Sequence, residues 1–174
     1  MGVSIKSIKD QLQGDDSILI DTSAITADGA VEFFSQLIEA LPKIKDTYLI
    51  IPNEAIVKIN ARMESKNKKV ADQAIRSAEW LQKAVNLSDG DDFKVIIVGD
   101  SEGAFEDKTI LNQVKFLLPQ HNIMLITQDL RMTVRARNLR DPATQGNHKL
   151  HCCMIRPEGK LGLYQIPMNN ASKK

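Results

Sequence analysis

Four short apolar segments recur along the chain, at Ser17–Ile20, 48–51, 94–98 and Ile123–Ile126. Each is rich in Ile, Leu or Val, and each is followed by a polar residue, a proline or a glycine. Their apolarity is continuous rather than alternating, which is typical of strands buried on both faces of a parallel sheet. We therefore predict four parallel strands at these positions.

The segments between these strands carry apolar residues at helical spacing. Three amphipathic faces are visible, within 31–41, 70–85 and 110–118. Alternation of strands and helices predicts right-handed crossovers, with helices covering both faces of the sheet. The predicted fold is therefore an α/β fold, a three-layer α/β/α architecture with a mainly parallel central sheet.

The C-terminal third predicts two further strands. Segment 148–155 alternates partly between apolar and polar residues, and the apolar stretch 161–166 is expected to pair with it after a turn at 157–159. No internal repeat or low-complexity linker interrupts the chain. We expect one domain over 1–174 with its core at about 15–166, a lead-in over 1–16 and a flexible tail over 169–174.

Composition and charge limit which binding partners and which cellular location the chain can be expected to have. The 174 residues carry a formal net charge of only +1, so nucleic-acid binding would require a local basic patch rather than a general basic field. The chain shows no apolar core of signal-peptide length and no stretch long enough to span a bilayer. Its two cysteines are adjacent and cannot build a disulfide framework. These features predict a cytoplasmic protein that does not bind membranes.

Four carboxylates occupy equivalent places in the predicted fold. Asp21 directly follows the first strand, Glu54 lies in the first turn of the helix after the second, Asp107 opens a later helix, and Asp129 follows the fourth strand. The carboxyl ends of parallel strands meet at one edge of a sheet, where ligands bind. We therefore expect the four acids to converge on that edge.

Converging carboxylates raise one another's pKa unless a cation lies among them. Their oxygens suit Mg²⁺ or Mn²⁺, ions that activate water and stabilise the leaving oxygen of a phosphodiester. Taken singly, Glu54, Asp107 and Asp129 would also suit helix N-termini, where acids cap free N–H groups. Their arrangement around one edge, together with Asp21, favours a metal site.

The motifs around these acids resemble those of the PIN domain family, whose members are metal-dependent ribonucleases. The resemblance extends from ILIDTSAI to ITQDLRMTVRARNL and covers most of the chain. Asp21, Thr22 and Ser23 match the acid and hydroxyl residues that end the family's first strand. Thr127 and Asp129 match its Thr-x-Asp motif, which is followed by a basic helix.

The resemblance implies a PIN-like fold and a metal-dependent endoribonuclease that cleaves single-stranded RNA with Mg²⁺ or Mn²⁺. It also implies that a protein partner or a homo-oligomer is to be expected. The implied metal ligands and catalytic residues are Asp21, Glu54, Asp107 and Asp129, and the implied supporting residues are Ser23, Thr127 and Glu106, the last replacing or assisting Asp107.

Basic residues cluster after two of the acids. Arg131 and Arg135 follow Asp129, while Lys58 and Arg62 follow Glu54. These four cations are candidates for gripping RNA phosphates beside the scissile bond. The alternative is a solvated charged face, since helix C-termini favour cations in any case.

Other functions share parts of this pattern. A non-catalytic RNA-binding or scaffold domain would retain the fold without cutting. A second alternative is a ribonuclease toxin of a toxin–antitoxin pair. Segment 66–87 and the chain beyond 141, however, make this protein longer than the smallest family members, which are such toxins. A receiver-type signalling domain would use Asp15, Asp16 and Asp100, but it leaves Glu54 and Asp129 without a role.

Three further classes lack a residue that they need. An aspartyl phosphotransferase would require an acid where Ser23 lies, and a metal-dependent adhesion site would require serine where Ile25 lies. A zinc site would have to use His148, His151 and the two adjacent cysteines. Neighbouring strand residues point to opposite faces, and the chain offers no second Cys/His pair for four-coordinate zinc.

Overall fold

The computed structural model describes residues 17–43, 46–88, 93–99 and 106–164, without the side chains of 106, 107, 142 and 145. The strands within that part are β1 Ser17–Ile20, β2 Thr47–Pro52, β3 Phe93–Val98, β4 Ile123–Ile126, β5 Leu150–Ile155 and β6 Leu161–Leu163. The helices are α1 Thr22–Ile25, α2 Ala30–Ala40, α3 Asn53–Met63, α4 Lys68–Leu87, α5 Glu106–Leu117, α6 Leu130–Arg137 and α7 Pro142–Gln145, with a 3-10 turn at Leu41–Lys43.

The strands form one sheet in the order β3-β2-β1-β4-β5-β6. The first four neighbouring pairs are parallel, and β6 is antiparallel to β5. This confirms the predicted mainly parallel sheet, including the fifth strand and its C-terminal partner. The chain passes outward from β1 to β2 and β3 and then returns to the other side of β1 as β4, so the strand order reverses between β1 and β4.

Alternate residues of β1 enter two separate cores. Ile18 and Ile20 pack with Phe34 and Trp80 under the helices α2 to α4. Leu19 lies on the opposite face, in a second core formed with residues of α5 and α6. The sheet is therefore covered by helices on both faces, which confirms the predicted α/β/α layers and explains the continuous apolarity of β1.

Some sequence predictions lie outside the described residues. These are the lead-in 1–16, the tail 169–174, Asp100 of the receiver alternative, and the side chains of Glu106 and Asp107. The apolar stretch 161–166 forms a strand only over Leu161–Leu163, and its last two residues are outside the description. No helix of the described chain has the length and apolarity to cross a bilayer.

Candidate active site

The centre of the sheet brings the first and fourth acid-bearing segments together. In parallel sheets of this kind, ligands bind in the crevice at the carboxyl edge where the strand order reverses, here between β1 and β4. Ile20 is in register with Ile126, and the backbone N–H of Asp21 donates to the Ile126 carbonyl at 2.9 Å. Asp21 and Thr127 therefore leave the sheet at the same level.

The Asp21 carboxylate is buried and held by two hydroxyl groups. Asp21 is only 3% exposed to solvent. The carboxylate oxygen Oδ2 accepts hydrogen bonds from Ser23 Oγ at 2.7 Å and from Thr127 Oγ1 at 2.5 Å. Within the described part of the chain, no protein group donates to the second oxygen, Oδ1. The carboxylate orientation is thus set through one oxygen while the other keeps its lone pairs for a further partner.

Backbone N–H groups orient both hydroxyls. Ser23 Oγ accepts from the N–H of Gln128 at 2.9 Å, and Thr127 Oγ1 accepts from the N–H of Asp129 at 3.1 Å. Since each hydroxyl oxygen accepts a hydrogen bond from a backbone N–H, its own O–H group is available to donate to Asp21. The 3.2 Å approach of the two hydroxyl oxygens to each other is a consequence of this shared acceptor.

Asp129 caps helix α6 at the same edge. Its Oδ1 accepts from the N–H of Arg131 at 2.8 Å, so the capping role that sequence analysis left open is present. The Arg131 guanidinium lies 3.9 Å from the same oxygen but is 93% exposed, which makes this ion pair weak. Thr127 Oγ1 joins the backbone of Asp129 to the carboxylate of Asp21, so the two acids lie on one edge and not on opposite sides of the molecule.

The two other predicted ligands are placed less closely. Glu54 is half-buried in the first turn of α3, directly after β2, whose carboxyl end lies beside that of β1. Helix α5, which carries Asp107, follows β3 at the same edge. Among the residues whose side chains are described, no three His, Cys, Asp or Glu residues form a group able to hold a metal. Convergence of all four acids therefore stays a prediction.

The predicted phosphate-binding residues lie on the helices that start at this edge. Lys58 and Arg62 belong to α3, where the first is exposed and the second half-buried. Arg131 and Arg135 are exposed on α6. Their role in RNA binding stays a prediction.

Tyr164 borders the acidic edge, although nothing in the sequence analysis singled it out. Its hydroxyl donates to the Thr127 carbonyl at 2.8 Å. Burial, and then the negative charges of Asp129 and Asp21, raise the pKa of Tyr164 to about 12. No local pattern could have identified it, because its position depends on the return of β6 alongside β5.

The titration of Tyr164 gives a direct check of this neighbourhood. In Tyr48→Phe, which removes the only other tyrosine, phenolate absorbance should rise with a pKa of about 12 rather than the ordinary value of about 10. Because the folded-state pKa is raised, the protonated phenol's contribution to stability is fully present below pH ~10 and is lost as the pH rises through ~12.

The same titration can test whether the charge of Asp129 contributes to the raised pKa of Tyr164. Adding Asp129→Asn should move the Tyr164 pKa part of the way back, whereas adding Asp28→Asn should leave it unchanged, since Asp28 is an exposed acid that does not act on Tyr164. Equal titration in the two variants would contradict the placement of Asp129 beside Tyr164. Circular dichroism across the pH range checks that the fold persists.

Thr127→Val should weaken both the fold and the site. Valine keeps the shape of the fully buried side chain, but it leaves the N–H of Asp129 and one bond to Asp21 unmatched. We expect the free energy of unfolding, measured with urea, to fall by about 1–3 kcal/mol. Thr133→Val is the matched control, because Thr133 is equally buried and its hydroxyl has no hydrogen-bond partner in the described chain. An equal loss in both variants would contradict the role given to Thr127.

Comparison with known proteins supplies no family assignment. No family model matches the chain, and no curated protein matches it. One similar solved structure is a domain of a functionally unknown protein from Methanocaldococcus jannaschii, with 20% identity, a TM-score of 0.47, and coverage of 76% of this chain and 88% of that one. Another is the PIN domain endonuclease Utp24, with 15% identity, a TM-score of 0.49, and coverage of 86% and 92%. At these values neither likeness carries an argument about activity.

Proposed function

We propose that this chain is a metal-dependent endoribonuclease that hydrolyses phosphodiester bonds of single-stranded RNA at the carboxyl edge of its sheet. The observation that carries the proposal is the buried carboxylate of Asp21, fixed through Oδ2 by two hydroxyls. It lies beside Asp129 where the strand order reverses. The resemblance of the surrounding motifs to PIN domains supports RNA as the substrate.

The residues at this edge are chemically suited to Mg²⁺ or Mn²⁺. Their donors are carboxylate and hydroxyl oxygens, which these hard cations prefer over sulfur or nitrogen. Mg²⁺ is commonly held by one or two protein carboxylates, with water and substrate phosphate filling the other positions. Burial of a charged carboxylate is costly, and a bound cation would offset that cost. Asp21 Oδ1 and the Asp129 carboxylate would hold the cation, with Glu54 and Asp107 proposed as further ligands.

The chain's own residues would orient the acids and bind the RNA phosphates for in-line attack at the carboxyl edge of the sheet. A bound divalent cation supplies Lewis acidity and an activated water. Ser23 and Thr127 hold Asp21 in one orientation, so that its charge needs little reorganisation during the reaction. Capping by Asp129 fixes its carboxylate relative to α6. Arg131, Arg135, Lys58 and Arg62 would bind phosphates that flank the scissile bond.

The second candidate is a non-catalytic RNA-binding or scaffold domain. It is favoured by one observation: among the residues with described side chains, no group of three potential ligands comes together. Both candidates suit the cytoplasm. Cys152 and Cys153 are buried as free thiols, and the cytoplasmic location is part of the proposal.

An RNA cleavage assay separates the candidates. The purified chain would be incubated with end-labelled single-stranded RNA in Mn²⁺ or Mg²⁺, and in parallel with EDTA, with single-stranded DNA and a blunt RNA duplex as matched substrates. We expect internal cleavage of the single-stranded RNA that EDTA abolishes. Cleavage that persists in EDTA would contradict a metal mechanism, and binding without cleavage under both metals would favour the scaffold.

A further inference from the structure

The β5–β6 hairpin contacts the segment that follows β4 through side chains as well as through strand pairing. Backbone pairing of β4 with β5 ends where the N–H of Thr127 donates to the Cys153 carbonyl at 2.9 Å. Beyond that point the Gln128 side chain, rather than the backbone, makes the hydrogen bonds to β5. Its Nε2 donates to the Ile155 carbonyl and its Oε1 accepts from the Ile155 N–H, both at 2.8 Å. One amide side chain therefore reproduces the next step of the ladder.

Tyr164 anchors the residue just before Gln128. Its hydroxyl donates to the Thr127 carbonyl at 2.8 Å. Together with the bonds already described, this contact satisfies the carbonyl, the N–H and the hydroxyl of Thr127 at the same time. A threonine held at all three polar groups can direct Oγ1 toward Asp21 in only one way.

Tyr164 is itself held from two directions. Its N–H donates to the Cys152 carbonyl of β5 at 3.1 Å. Its carbonyl accepts from Arg137 Nη2 of α6 at 2.9 Å. Because Asp129 is the N-cap of α6, these contacts connect Thr127 through Tyr164 and α6 back to Asp129.

We propose that the β5–β6 hairpin is a positioning element of the acidic edge, with Tyr164 and Gln128 as positioning residues that act through Thr127 on Asp21 and Asp129. This inference rests on the proposed function, because it assigns the hairpin to the same cation site. It also extends that site to two uncharged residues.

Tyr164→Phe is the conservative test. Phenylalanine keeps the ring and its packing but removes the donor to the Thr127 carbonyl. We expect the Mn²⁺ affinity, measured by calorimetry, to fall about 10-fold, as for other groups that orient a metal ligand indirectly. In the cleavage assay kcat should fall while KM for RNA stays unchanged, since the phosphate-binding cations are untouched.

A second variant and an independent readout guard against a purely structural effect. Gln128→Leu removes both bonds to Ile155 and should lower Mn²⁺ affinity by about 10–100-fold. In both variants, hydrogen exchange of the Asp129 amide should accelerate without metal or RNA, because that N–H is bonded to Thr127 Oγ1. Tyr48→Phe and Gln82→Leu are the matched controls, as both alter partly or fully exposed side chains away from this edge.

The outcomes separate the two proposals. Lower Mn²⁺ affinity with faster Asp129 exchange, in a protein that stays folded in the assay buffer, supports the positioning role. Wild-type affinity in Tyr164→Phe, or a loss explained entirely by global unfolding, overturns it while leaving the nuclease intact. A wild-type protein that neither binds Mn²⁺ nor cleaves RNA overturns both.

Discussion

Asp21→Asn is expected to reduce RNA cleavage by at least about 10²–10³-fold, comparable to the loss of a preorganised charge-stabilising group in other enzymes. The amide oxygen can take the place of Oδ2 and keep both hydrogen bonds, from Ser23 and from Thr127. The amide nitrogen then occupies the position of Oδ1, where it cannot coordinate a cation. The variant therefore removes the ligand and the charge while leaving the local fold in place.

Asp28→Asn is the matched control for this substitution. Asp28 is an exposed acid seven residues further along the chain and belongs to no hydrogen-bonded network in the described structure. We expect wild-type cleavage from it, and a urea midpoint for both variants close to that of the wild type. Full activity in Asp21→Asn would remove Asp21 from the catalytic centre.

Gly29→Ala is expected to lower the free energy of unfolding by about 3 kcal/mol or more, because it combines a left-handed backbone with overpacking. Gly29 has a φ of +83°, and a Cβ there would lie 2.2 Å from the Arg156 carbonyl oxygen and 2.8 Å from that of Pro157. Both obstacles are backbone atoms of the turn between β5 and β6. The turn would have to leave α2, and with it the hairpin that reaches Thr127.

Gly146→Ala separates the two causes in this prediction. Gly146 also has a positive φ, +60°, but no atom lies within 4 Å of its would-be Cβ. Its ψ is −130°, a backbone conformation that is also unfavourable for alanine, so we expect only the backbone strain, about 1–3 kcal/mol, in urea denaturation. A loss in Gly29→Ala no larger than that in Gly146→Ala would show that the turn does not pack against α2 as described.

The parallel strands could be predicted because strands buried on both faces leave continuous apolar segments in the sequence. Ile18 and Leu19 face different cores, so successive positions of β1 after Ser17 had to be apolar. What the pattern could not give is the position of each strand within the sheet. β3 is as apolar as β1, yet it is an edge strand whose Ile96 and Ile97 are 38% and 47% exposed.

The candidate site was predictable where it depends on strand ends and unpredictable where it depends on side-chain direction. The register of β1 with β4 brings Asp21, Thr127 and Asp129 to one edge, as expected for parallel strands. The reach of Glu54 from the first turn of α3 depends on a rotamer, which no sequence pattern specifies. Tyr164 was missed because an antiparallel return, rather than any periodicity, carries it to Thr127.

Calorimetric titration of Mn²⁺ into the wild-type protein and Asp21→Asn tests most directly whether separate segments of the chain share a cation. We expect saturable binding by the wild type and an affinity weakened by more than about 100-fold in the variant, beyond the effect of groups that only orient a ligand. Wild-type heats no larger than dilution, or equal binding by the two proteins, would contradict a metal centre at Asp21.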